Sequence, residues 1–582
     1  MIRLRSLAVV ALLPLVACSS RVVSIDVTVL TMRCTPAGSP KVTATASDGV
    51  DHYQAVISGA DFQSITKVFT PGGAIALDQI PPGSNRVIAL TGYKGDPSGT
   101  GATPLAFGQS VPFTVPEDTS QKVSVTILLK PAGVFTGVPT IADASKCATL
   151  TTPRAGHTAT LLNDGRVLFT GGFSLKADAG TSYAVESNSA NWVFRDDAEI
   201  FDPATNTSTS VSAAMTYQVQ TLDGGSTTNY DDTAFHAATL LGDGTVFVSG
   251  GEQGGGANPE ARPNTMLFDP TASTWQASYM SYAYPDGGST GAINRSRHVS
   301  IADANGRAIV VGGIDYEDTG GLGFRVPVLA DTPMWLDSTT GLFQPITNTQ
   351  GQQVDILRDN AHGTTVLGGS AVAVVGGDLL DAGLADPPIL FFQYAPIVDS
   401  RGNPTSVSNM LEQPLYEAQP GIGLYRTHAA AAVLGPEQHL MVVAGGTGPD
   451  GGLMQNAVIV DSTVSNTQLS LTTPGRGRND PCAVALADGR VLVAGGQTNG
   501  ITTSNQADLY SESSYSYNAT GPTSTAQAKV ETDLPSMLQG RYLHTCTVLQ
   551  DGSVLIAGGV SEENNTFNVL DSLELYVPVP LK

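Results

Sequence analysis

The chain has 582 residues, of which 41% are hydrophobic and 14% charged, and its 29 basic against 52 acidic residues leave a net charge of −23. The length has room for more than one domain, and the 64 glycines, with abundant Thr, Ser and Val and no long stretch of 3.6-residue periodicity, mark an all-β protein. The acidic field would repel a polyanion, so nucleic acid is excluded as a partner.

At the N-terminus Arg3 and Arg5 precede an apolar run, 7–16, that is too short to span a bilayer. The run ends in Leu15-Val16-Ala17-Cys18, which resembles the lipobox of bacterial lipoproteins. The resemblance implies a signal peptide over 1–17, diacylated Cys18 as the mature N-terminus, and a lipidated tether over 18–22. Ser19 stands where an inner-membrane retention Asp would be, which implies an outer-membrane lipoprotein, periplasmic or surface-exposed. Several acyl chains anchor firmly where one would not. No other segment approaches 18 consecutive apolar residues.

Residues 23–130 alternate between apolar and polar positions in short runs between turn clusters, with strands expected at 23–32, 54–58, 74–77, 86–90, 106–114 and 123–129. The stretch Leu77-Asp-Gln-Ile80-Pro-Pro-Gly83, followed by Arg86-Val-Ile-Ala-Leu90 and Gly92-Tyr93, resembles transthyretin-like sandwiches, with a generic immunoglobulin-like sandwich as the other reading. A β-sandwich spacer over 23–130 is the expectation, followed by a Pro/Gly-containing linker over 131–146.

From residue 147 to 578 one pattern recurs seven times: His or a substitute, small residues, a tight turn, an apolar strand, then Gly-Gly. The first copy reads Arg154-Ala-Gly-His157, then Asp164-Gly165, then Gly171-Gly172. The others centre on His236, His298, His362, His428, Pro481 and His544. Most copies add a second signature, as in Ala198-Glu-Ile-Phe-Asp202 or Ala507-Asp-Leu-Tyr510; the fourth is degenerate, with Ile389–Phe392 as its best candidate. Asp-Gly between apolar runs is a tight-hairpin signal, because Gly accepts the positive φ that such turns need. A unit of this size cannot bury both faces alone, so copies must pack radially. The pattern resembles kelch repeats, which implies a seven-bladed β-propeller. The last copy ends at its third strand, so residues 147–153 are expected to supply the missing outer strand and close the ring.

Histidine is the obvious catalytic candidate, but His157, His236, His298, His362, His428 and His544 share one repeat position and therefore read as fold residues. Cys482 and Cys546 fall within strands of neighbouring copies and read as buried small hydrophobes. Cys34 lies in the N-terminal domain and Cys147 just before the propeller, and the oxidising envelope would allow a disulfide between them. No metal-ligand spacing, nucleophile elbow or phosphate loop occurs, so no metal and no cofactor is expected. A sandwich followed by a kelch propeller is also similar to the copper-radical carbohydrate oxidases of the galactose oxidase family. Their copper ligands include an adjacent Tyr-His pair and a further His from a third domain. This sequence has no Tyr-His dipeptide and no such domain after the repeats, so the ligand set is not expected to form.

Long insertions fall at 173–197, 216–233, 278–294, 314–332 and 396–425, mostly on the face opposite the tight turns. They carry Tyr183, Trp192, Tyr230, Tyr279, Tyr282, Tyr284, Tyr316 and Tyr425, aromatic residues of the kind that interfaces and sugar sites use. The reading is a surface-anchored lipoprotein presenting a kelch propeller to an envelope or extracellular protein or glycan, without catalysis. A periplasmic carbohydrate-acting enzyme of the mutarotase or epimerase kind, or a copper-radical oxidase, is the alternative.

Overall fold

The computed structural model describes residues 24–580 except 40–47, 72–79, 178–190, 221–225, 231–232, 255–259, 283–290, 303–305, 319–324, 330–332, 338–341, 347–360, 367–370, 378–388, 399–403, 408–425, 462–470, 499–501, 518–523 and several breaks of one or two residues. Every described strand-forming segment is β, and among the described residues no helix is long and apolar enough to cross a membrane. Cys18 and the expected strand at 74–77 lie outside the described residues. The chain divides into two compact units, 1–148 with 204–207 and 573–582, and 149–203 with 208–572.

In the first unit, hydrogen bonding joins the strands in one continuous path: Ser24–Thr31, Lys122–Pro131, Thr103–Gln109, Gly83–Lys94, His52–Gly59 and Phe62–Phe69. Phe113–Val115 pairs with Gly83–Lys94 off this path. Where the sequence led us to expect two stacked sheets, the Ala106–Pro131 and Phe107–Lys130 pairings link the strands into a single sheet of seven. Alternate residues form one core, among them Ile25, Val27, Tyr53, Ile57, Ile88, Leu90, Val125, Ile127 and Leu129. The period-2 pattern thus buries one face. Arg86 is 1% exposed beside the Pro81-Pro82-Gly83 turn; its guanidinium donates to the Pro81 carbonyl at 3.1 Å and to Asp61. Farther along, Phe135–Gly137 runs antiparallel to Leu573–Tyr576. The strand that pairs with the end of the chain therefore lies in the stretch read as linker. Cys34 and Cys147 are disulfide-bonded with their Cα atoms 5.2 Å apart. Gly137 leaves the room they occupy, since a Cβ there would sit 2.7 Å from one sulfur and 2.8 Å from the other.

The repeats build a β-propeller. Among the described residues, six sheets of the repeats have four or more strands, and their first strands are Thr158–Leu161, Ala237–Leu240, Val299–Ala302, Thr427–Leu434, Cys482–Ala485 and Thr545–Val548. Six complete blades thus stand where seven were expected. The fourth copy forms a sheet of three strands among the described residues, His362–Val366, Ala371–Val375 and Ile389–Gln393. The first strands lie side by side in copy order, and the last, Thr545–Val548, returns to Thr158–Leu161.

Second strands such as Val167–Thr170, Val246–Ser249, Val491–Ala494 and Val554–Ala557 are buried at every position, because sheets cover them on both faces. This is why they read as unbroken apolar runs rather than as alternation. Successive sheets pack face to face. Leu168 and Ile200 meet Val246, Val248 and Phe268, and Ala432, Leu434 and Ile459 meet Val491, Val493 and Tyr510. The three-stranded sheet takes part in the same way, with Ala373 and Val375 against Ala431, Met441 and Val443.

Candidate binding cavity

The Gly-Gly pairs couple one blade to the next. All seven pairs have positive φ at both residues. The second glycine donates its N–H to the next blade, from Gly172 to the Thr233 carbonyl at 2.8 Å, Gly251 to Arg295 at 2.7 Å, and Gly559 to Arg154 at 2.9 Å. A Cβ on the first would run into that same blade: at Gly171 it would meet the Thr233 carbonyl at 2.5 Å. Glycine is required by conformation and by space together.

In four copies a buried arginine holds the start of the first strand to the end of the second. Arg154 Nη1 donates to the Gly171 carbonyl at 2.7 Å, Arg295 to Gly312 at 2.6 Å, Arg426 to Gly445 at 3.0 Å and Arg541 to Gly558 at 2.9 Å. Thr233 replaces the arginine in the second copy and donates to Gly250 at 3.1 Å. Carboxylates of third strands neutralise Arg154, through Glu199, and a further buried repeat arginine, Arg478, through Asp508.

The repeat histidines tie adjacent blades. Nε2 of His236 lies 2.8 Å from Thr170 Oγ1, that of His298 2.8 Å from Ser249 Oγ, and that of His157 3.2 Å from Thr545 Oγ1. Burial pushes the pKa of His236 and of His298 down to about 3, with the nearby Arg154 and Arg295 cations acting in the same direction. Both rings are neutral at physiological pH, which suits a fold role.

His428 departs from this set. The arginine of each copy precedes its histidine by three residues in Arg154/His157, Arg295/His298 and Arg541/His544, but Arg426 precedes His428 by two. Ala429, not His428, occupies the repeat position: a Cβ on Gly446 would meet Ala429 Cβ at 3.1 Å, just as one on Gly172 would meet His157 Cβ at 2.8 Å. His428 instead takes the left-handed position one residue earlier, with φ 54°, where Phe235, Arg297, Asp480 and Leu543 have φ of 56°, 55°, 49° and 51°. Main-chain bonds join these positions around the ring. Phe235 N donates to Gly156 O at 2.9 Å, Arg297 N to Phe235 O at 2.9 Å, and Asp480 N to His428 O at 2.9 Å. Non-glycine residues held in this conformation are strained, and such strain clusters at functional sites.

These left-handed residues line a cavity of about 390 Å³ at the centre of the first strands, together with the repeat histidines, Cys482, Thr545 and Cys546. Two of them, Arg297 and Asp480, bring charge, and His428 brings an imidazole. His428 Nδ1 lies 2.9 Å from Asp480 Oδ1, and both side chains are about 30% exposed. Arg297 lies 4.2 Å over the Phe235 ring and donates to Glu252 at 2.9 Å. The cavity wall therefore offers a cation, a His–carboxylate pair and an aromatic face.

Cys482 and Cys546 line the same cavity. Read from the sequence as separate buried hydrophobes, they are half-buried, project from adjacent first strands and are joined in a disulfide, with Cα atoms 5.9 Å apart. His544 Nε2 is 3.2 Å from Cys482 Sγ. Among the described residues, the ligand atoms of Cys482, His544 and Cys546 lie within 4.8 Å of one another, a grouping with metal-ligand spacing that residue spacing in the sequence did not show.

Of the aromatic residues expected on a loop face, Trp192, Tyr230, Tyr279, Tyr282 and Tyr316 are among the described residues. Trp192 is half-buried and stacks on Phe173 with ring centroids 4.0 Å apart. The Tyr316 hydroxyl donates to Glu252 at 3.0 Å, and burial followed by the Glu252 charge raises its pKa. Tyr230, Tyr279 and Tyr282 lie in strands, opposite Thr216, Asn264 and Gly291. Tyr183, Tyr284 and Tyr425 lie outside the described residues. The repeat-position His362 lines the cavity. Sequence reasoning missed Arg297 and Asp480. The signal for them was the residue immediately before each repeat His or its substitute.

No protein-family model and no curated protein matches the chain. Among solved structures, a fungal alcohol oxidase of the AA5 family, in complex with copper, aligns at 13% identity over 74% of this chain and 75% of that one, with a TM-score of 0.39.

Proposed function

We propose that this chain is an envelope-anchored propeller that binds a polar, sugar-sized group of a glycan in its central cavity. The observation that carries the reading is the convergence of Arg297, the His428–Asp480 pair and Phe235 on the wall of one cavity of about 390 Å³. Ligand sites combine an apolar wall with a few fixed polar groups. Here the cation suits a carboxylate or hydroxyl-rich sugar, and Asp480 suits hydroxyl donors. The leader ending in Cys18 supports the anchor. The radial packing of the three-stranded sheet against its neighbours supports counting it as a seventh, worn blade, and the alternating core of residues 24–131 supports a rolled, sandwich-like spacer.

A second reading, sugar mutarotation or epimerisation, is favoured by the same His428–Asp480 pair, since a hydrogen-bonded imidazole and carboxylate can shuttle a proton. The test is saturation-transfer NMR on residues 19–582 with neutral and acidic monosaccharides. Transfer to an acidic sugar that is lost in Arg297→Met and weakened in Asp480→Asn is the expected outcome. No transfer to any sugar, or transfer indifferent to both substitutions, overturns the proposal. Faster anomer exchange in the same spectra would establish the catalytic reading.

A further inference from the structure

We propose that the Cys482–Cys546 bridge is a redox latch over a zinc site: a dithiol entering the cavity opens it, and the two thiols with His544 then hold one Zn(II).

The ligands are brought together by the fold. Cys482 pairs with Ala494 and Cys546 with Ile556 across hairpins whose second strands are buried at every position, so the backbones that carry the sulfurs are fixed. Only side chains must move. Opening the disulfide lets the sulfurs separate to roughly 3.7 Å, the spacing that two bonds of about 2.3 Å make at a tetrahedral zinc. His544 Nε2 already stands 3.2 Å from Cys482 Sγ. Two thiolates also neutralise the dication, so the site does not leave a net charge against the cavity wall.

Placement against the cavity, rather than exposure, distinguishes this bridge from the other, since Cys147 is half-buried as well but does not line the cavity. Cys482 and Cys546 are half-buried and line the cavity. Cys34 is 2% exposed and packed against Gly137, and no metal-ligand grouping includes it among the described residues. Three protein ligands with a fourth position open to a cavity is the arrangement of catalytic rather than structural zinc sites. Here that position falls to solvent.

The chemistry balances in two steps. The dithiol transfers two electrons and two protons to the Cys482–Cys546 bond, leaving two cysteine thiols and an oxidised cyclic disulfide. Zinc then displaces one proton from each thiol as two Zn–S bonds form.

The experiment uses residues 19–582, oxidised or reduced with dithiothreitol and desalted without oxygen, and titrated with Co(II) as a spectroscopic stand-in for zinc. The reduced protein should take up one equivalent with thiolate-to-cobalt charge-transfer bands, which Zn(II) then abolishes. The oxidised protein should show none. Reduced Cys482→Ser should lose the bands, and reduced His544→Asn should shift them. Absence of bands in the reduced wild type, with its far-UV circular dichroism unchanged, overturns the proposal without recourse to any variant. Bands that persist in Cys482→Ser/Cys546→Ser overturn it too, because they would then come from Cys34 and Cys147, the two cysteines left.

Discussion

Replacing Arg154 with Met removes the cation from a site without solvent, since Arg154 and Glu199 are both 0% exposed. Glu199 would keep only the Thr151 N–H, at 2.6 Å, of the partners it has now, and the Gly171 carbonyl would lose its donor. Breaking a buried pair by deleting one member costs about 3–5 kcal/mol, because a charge is left uncompensated. Unfolding entropy of about 2.1 cal/mol/K per residue over about 400 residues comes to roughly 0.85 kcal/mol/K, so a loss of about 4 kcal/mol lowers Tm by about 5 °C. In Arg154→Met/Glu199→Leu the orphaned charge is gone, Asp197 keeps Arg195 as its cation, and the main remaining cost is the unpaired Thr151 N–H and Gly171 carbonyl, about 1–3 kcal/mol for each such group. The double variant should therefore be no less stable than Arg154→Met alone. Scanning calorimetry of the wild type, both single variants and the double variant measures the coupling. Losses that simply add would refute the account of the arginine as a neutralised clamp.

Other expectations follow from the same geometry. Gly250→Ala should cost several times more stability in urea than Gly552→Ala: both have positive φ, 60° and 81°, but a Cβ at Gly250 strikes the Arg295 carbonyl while one at Gly552 meets nothing within 4 Å. Equal losses would show that conformation alone, at about 1 kcal/mol, sets the requirement for glycine. Acid should destabilise the propeller through its buried histidines. His236 has a folded pKa of about 3 against an ordinary value of 6.5, so between those values the unfolded chain binds a proton that the folded one refuses, and stability falls as pH drops from about 6.5 toward 3. His236→Gln should flatten that slope by up to about 1.4 kcal/mol per pH unit relative to wild type, and an unchanged slope in urea titrations would mean that the ring protonates in the fold.

The repeat was legible because its signals are local. Asp164-Gly165 makes its hairpin within six residues of the strands it joins, with Gly165 at φ 90°, and Gly171-Gly172 takes its left-handed turn wherever the copy occurs. Apolar runs such as Val167–Thr170 read as strands, and the fold buries them at every position. The single seven-stranded sheet was not legible, since alternation along a strand tells which face is buried but not which edges pair.

The cavity belonged to tertiary structure for a related reason. A copy read by itself does not reveal that the residue before its histidine turns left-handed toward the centre, and only the ring of copies converts Phe235, Arg297, His428 and Asp480 into one wall. His428 shows the boundary between the two kinds of information: its type matched the repeat, and its spacing from Arg426 did not. What the sequence determined by itself was the unit, because turn chemistry and strand burial act within a copy. Radial packing decided which side chains meet, because it sets Cys482 beside Cys546 across 64 residues of chain, and no pattern inside either copy encodes that distance.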